Sequence, residues 1–128
     1  KLALLRAARA ERPGAPVCVV LGSSRLVWGF RPDELPATAR REWVWFNGAH
    51  VGAGPALQRL ALARLLRAGA RPDAVAVEVM PTFLANENAR FVCGHVAVRE
   101  YALARRYFNA PITFDYNFAR LRLARAPD

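Results

Sequence analysis

The sequence predicts an α/β domain built on a parallel sheet, and two observations carry that reading. Three short apolar runs, Pro16 to Leu21, Trp43 to Phe46 and Ala74 to Met80, each stop at Gly, Asn-Gly or Pro. Between the second and third lies Pro55 to Ala68, too long for a strand and rich in leucine, so the order is strand, helix, strand. At 128 residues and 54% apolar content the chain suits one compact domain with an ordinary core.

The elements follow in order. Leu2 to Arg12 is dense in strong helix formers and is stopped by Pro13-Gly14, which predicts a leading helix within residues 1–14. Pro16 to Leu21 is continuously apolar, the pattern of a strand covered on both faces. Leu26 to Arg41 contains Pro32 and Pro36 and has room only for short helical turns. Pro55 near the start and Gly69 past the end bound the crossover helix, whose leucines (Leu57, Leu60, Leu62, Leu65, Leu66) wrap most of its circumference. The third run sets β-branched residues at alternate positions. The chain turns polar at Asn86-Glu87-Asn88; a helix is expected from His95 to Phe108, with Val98, Tyr101, Ala102 and Phe108 near one face. Another is expected from Thr113 to Arg125, making residues 95–128 helical. The start at Lys1 and the end at Asp128 suggest cuts in a longer protein, so a single, partial domain is expected.

The net charge of +9 invites a search for a nucleic-acid surface. The arginines are instead spread along the chain with few aromatics between them, so no nucleic-acid partner is expected. Cys18 and Cys93 form no C-x-x-C pair and have no histidine spacing for zinc; burial as small apolar groups is expected, and no metal or cofactor. No apolar run reaches the length of a membrane span, and compartment and oligomeric state cannot be read. A phosphate loop of the G-x-x-x-x-G-K-[ST] type and a G-x-S-x-G elbow are both absent, and Leu57 breaks the dinucleotide pattern begun by Gly52 and Gly54.

In parallel sheets ligands bind at the carboxyl ends of the strands. Those ends carry Gly22-Ser23-Ser24-Arg25, then Asn47 to Gly54, then Met80-Pro81-Thr82. Ser23 and Ser24 are the only serines in the chain, and in such a turn serine either caps a helix or presents a nucleophilic hydroxyl beside backbone amides. Glu78 is a lone acid in an apolar run, expected at the sheet end or paired.

Val19-Val20-Leu21-Gly22-Ser23-Ser24-Arg25, then Phe46-Asn47 to Gly52-Ala53-Gly54-Pro55, then Pro72-Asp73 to Glu78-Val79 resemble the opening blocks of the SGNH (GDSL-like) hydrolase superfamily, over residues 16–84. The resemblance implies a flavodoxin-like three-layer α/β/α sandwich with a parallel sheet, and a serine esterase or O-acyltransferase acting on a small-molecule or glycan ester. It places the nucleophile on Ser24, and the oxyanion donors on the Ser24 amide and on Gly52, with Gly54 the close alternative. Where the family has G-x-N-D this chain reads Met80-Pro81-Thr82-Phe83, so either Thr82, Asn86 or Asn88 replaces the asparagine or the oxyanion hole is incomplete. The family's D-x-x-H is absent; the base is expected beyond Asp128, with His50 the candidate within the chain. Two other functions stay open: a non-catalytic binding or scaffold domain, and a phosphate- or nucleotide-binding domain using Gly52-Ala53-Gly54.

Overall fold

The computed structural model describes residues 1–81, 88–108 and 110–124. Helix α1 (Leu2–Glu11) leads into β1 (Val17–Leu21). Two six-residue helices, α2 (Ser24–Gly29) and α3 (Ala37–Glu42), flank a 3-10 turn at Pro32–Glu34. Then come β2 (Val44–Asn47), α4 (Pro55–Arg67) and β3 (Ala74–Val77). The prolines at 32 and 36 keep the first crossover in short pieces, as the sequence predicts.

The sheet is parallel, in the order β2-β1-β3, with Val19 opposite both Phe46 and Val75. This is the opening order of a flavodoxin-like sheet, and it places the switch point between β1 and β3. The chain moves outward from β1 to β2 and then back across β1 to β3. Right-handed crossovers therefore put the two connections on opposite faces. On one face Val17, Val19, Leu21, Val44 and Phe46 pack against Leu5 of α1 and Leu65 of α4. On the other, the Trp45 indole donates to Ala39 O (3.0 Å) and its ring meets Phe30 edge-on. Helices thus cover both faces, and the fold is α/β in three layers.

A further helical group lies on the far side of α4: α5 (Ala89–His95), a 3-10 turn at Val98–Glu100, α6 (Tyr101–Arg106) and α7 (Pro111–Leu123). Phe114, Val92, Cys93, Val96 and Phe108 form a second core with Ala56, Leu57 and Leu60 of α4. This explains why leucine wraps α4: one side faces the sheet and the other faces the helical group. Arg64 of α4 joins the two by a bidentate ion pair with Glu100 (2.8 and 2.7 Å), while the Ala97 amide donates to the same carboxylate (2.9 Å).

The structure corrects the sequence reading in two places. The expected helix from His95 to Phe108 is divided, and Val98 and Ala102 are exposed. Burial of the Glu100 carboxylate against Arg64 and the Ala97 amide draws this segment into a tight turn. The unforeseen helix α5 begins right after the polar Asn86-Glu87-Asn88 because Asn88 is its cap, accepting from Phe91 N (3.0 Å). β3 has apolar residues but is not covered: Val75 and Val77 are exposed, since β1 is its only partner among the described residues.

Many guanidinium groups terminate helices. Arg12 donates to the carbonyls of Arg40, Arg41 and Trp43 at the end of α3, and Arg6 to Ala68 O at the end of α4. Arg64 and Arg122 reach His95 O and Val96 O at the end of α5. Cations at carbonyl ends satisfy orphan acceptors and oppose the helix dipole.

Candidate functional site at the carboxyl end of the sheet

β1 ends at Leu21 and the chain crosses the switch point at Gly22, where no side chain fits. A Cβ there would lie 2.5 Å from Leu26 Cδ1 and 2.7 Å from Glu78 Oε2. The next two residues divide the work of the serine pair. Ser23 is 1% exposed and caps α2: its Oγ accepts from Arg25 N (3.3 Å). Ser24 is the first residue of α2, half-buried, and its hydroxyl has no hydrogen-bond partner among the described residues.

Glu78, just past β3, supplies the contact that sequence reasoning did not foresee. Its Oε2 accepts from Ser23 N at 2.6 Å, and its own N–H continues the ladder to Leu21 O (2.9 Å). The lone acid thus sits at the sheet end, as expected, tied across the switch point to the serine turn. Gln58, in the first turns of α4, donates through Nε2 to Glu78 O (3.2 Å). The glutamine is 4% exposed and its Oε1 is buried with no donor among the described residues. Leu21, Leu62, Val77 and Met80 complete a groove of about 330 Å³ beside these polar groups.

The second loop is knitted to the first. Asn47 Nδ2 donates to Leu26 O (2.7 Å) and Phe30 O (2.9 Å), and its Oδ1 accepts from Ala49 N (3.1 Å). Gly48 N donates to Val20 O and His50 N to Gly22 O (2.8 and 2.9 Å). Residues 47–50 and the serine turn are therefore neighbours. Gly52 adopts φ +68° and leaves no room for a Cβ, which would meet Phe91 Cε1 at 2.6 Å. Gly54 is buried at the N-cap of α4. No hydrogen bond among the described residues links Gly52 or Gly54 to Ser24.

His50 is exposed and lines a cavity together with Lys1 and Arg64. Burial lowers its pKa, and the positive charges of Lys1, Arg64 and His95 lower it further. No hydrogen bond joins it to Ser24. His95 Nδ1 donates to Phe91 O (2.8 Å) at the end of α5. Thr82 and Asn86 lie outside the described residues, and Asn88 is occupied as the cap of α5.

Both cysteines are free and buried. Burial raises both thiols; that of Cys93 is pushed up to about 11, and its Sγ donates to Phe114 O (3.4 Å). Among the described residues no group of three or more His, Cys, Asp or Glu could hold a metal, and no helix is long and apolar enough to cross a membrane.

No curated protein and no solved structure matches the chain. One family model does, over residues 4–103, a span that takes in both crossovers, the serine turn and Glu78. The chain belongs to the family described as "Protein of unknown function (DUF1574)".

Proposed function

We propose that this chain carries the nucleophile half of a serine esterase or O-acyltransferase of the SGNH (GDSL-like) kind, with Ser24 as nucleophile. The observation that carries the reading is the division of the serine pair at the switch point. Ser23 is consumed as a cap, while Ser24 keeps a half-buried hydroxyl at the carboxyl end of β1 with no hydrogen-bond partner among the described residues. In this reading Ser24 Oγ attacks the ester carbonyl, and the Ser24 amide, with Gly52 or Gly54, stabilises the oxyanion. The groove beside Leu21 and Met80 takes the acyl portion. A histidine must take the serine proton, and among the described residues neither His50 nor His95 is hydrogen-bonded to Ser24.

The test is labelling of the protein by a fluorophosphonate, read by intact mass beside a Ser24→Ala variant. Labelling that disappears in the variant supports an activated serine. A folded protein that does not react counts against it.

One observation favours a second reading, a binding or scaffold domain. The Glu78 carboxylate lies against the Ser23 amide, one residue from the proposed oxyanion site, and its negative charge opposes an anion there. In that case Ser24→Ala alters neither reactivity nor fold.

A further inference from the structure

The cavity that His50 lines does not include Ser24 and has no part in the reading above. It measures about 300 Å³, the lower end of the roughly 300–1,000 Å³ typical of small-molecule sites. Its floor is apolar: Leu2 of α1, Phe46 of β2, and Ala61 and Leu65 of α4. Its polar lining comes from three nitrogen-bearing side chains, Lys1, His50 and Arg64, and no Asp or Glu lines it.

These three groups are partly committed and partly free. Lys1 Nζ spends one hydrogen on Asn47 O (2.8 Å) and makes no other hydrogen bond among the described residues. Arg64 is fixed by Glu100 and His95 O through Nε and Nη2, while Nη1 makes no hydrogen bond among the described residues. The bidentate pair holds the guanidinium in place without using that edge. The His50 ring has no hydrogen-bond partner among the described residues. The rim thus offers a small set of convergent donors above an apolar floor.

We infer that this cavity binds a short-chain organic carboxylate, the chain on Leu2, Phe46, Ala61 and Leu65 and the carboxylate between Lys1, His50 and Arg64. Charge complementarity selects an anion, because every ionisable group of the lining is basic. A carboxylate offers about four acceptor positions, and the hydrogens of Lys1, Arg64 Nη1 and the His50 ring are enough to fill them. Phosphate alone would leave the apolar floor unused.

Binding is measured by calorimetry and by the ring-proton NMR signals of His50 on the folded protein, with hexanoate, hexylammonium and inorganic phosphate as probes. Hexanoate is expected to bind and to shift His50, with phosphate at least tenfold weaker and hexylammonium silent. Ala61→Leu, which fills the floor, and Lys1→Glu, which reverses a rim charge, are each expected to weaken hexanoate at least tenfold while the thermal melt stays within a few degrees of the parent. Equal binding of phosphate and hexanoate, binding of hexylammonium, or hexanoate affinity unchanged by both substitutions would overturn the assignment. Ser24→Ala should leave hexanoate binding intact, so loss of serine reactivity and loss of this site are read separately.

Discussion

Ser23 and Ser24 are adjacent and chemically identical, yet the fold gives them different tasks. What separates them is a carboxylate 55 positions away: Glu78 takes the Ser23 amide, sets that residue at the cap, and turns Ser24 into the first residue of α2. Ser23→Ala is therefore expected to cost about 1 kcal/mol of stability, the usual loss for a missing cap, whereas Ser24→Ala should change the urea midpoint little. Gly22→Ala makes a harsher test, since the added methyl would collide with Leu26 and Glu78. A loss of about 1–3 kcal/mol is expected by denaturant titration, with serine labelling falling in parallel if the proposed chemistry holds. The sequence exposes the serine turn and the acid at the sheet end separately. It cannot show their contact, because strand register sets it and no local pattern encodes register.

At the scale of elements, α4 and its ion pair bind the sheet to the outer helices. Glu100 is 2% exposed, and the Arg64 hydrogen bonds pull its carboxyl down to about 2, against the opposing effect of burial. A carboxyl whose folded pKa lies below its ordinary value of 4.5 contributes stability that is complete above that value. That contribution fades as pH falls from about 4.5 toward about 2. Glu100→Gln should flatten this part of the acid-unfolding curve followed by circular dichroism. Arg64→Ala leaves the buried carboxylate unpaired and should cost about 3 kcal/mol near neutral pH. The β1, β2 and α4 assignments were legible because period, apolar runs and Pro/Gly punctuation agree there. α5 was hidden because its cap, Asn88, stands in a polar triplet that reads as loop. The tight turn at Val98–Glu100 was hidden because its cause is the distant Arg64.

For the molecule as a whole, the balance of covered and open surface is uneven. β2 is flanked by α3 and the 3-10 turn at Pro32–Glu34, while β3 presents the apolar, β-branched valines of the third run to solvent; Val77 is 53% exposed. An apolar edge strand of this kind is a template for pairing with another chain. The protein is expected to self-associate with rising concentration in sedimentation experiments, and Val77→Lys should reduce that association without lowering the melting temperature. Part of the arginine excess, which at first suggests a polyanion partner, is engaged at carbonyl ends of helices through Arg6, Arg12, Arg64 and Arg122, a role that depends on contacts sequence spacing does not reveal.

The two cores meet nowhere more fully than along α4, which has the sheet on one side and the phenylalanine-rich helices on the other. A helix enclosed on both sides cannot fray without opening both cores. The sheet and the outer helices should therefore lose structure together, in a single transition. In deuterated water the amide protons of Leu57 to Leu65 should be the last to exchange, at the rate of global unfolding, while those of α2 and β3 exchange far earlier.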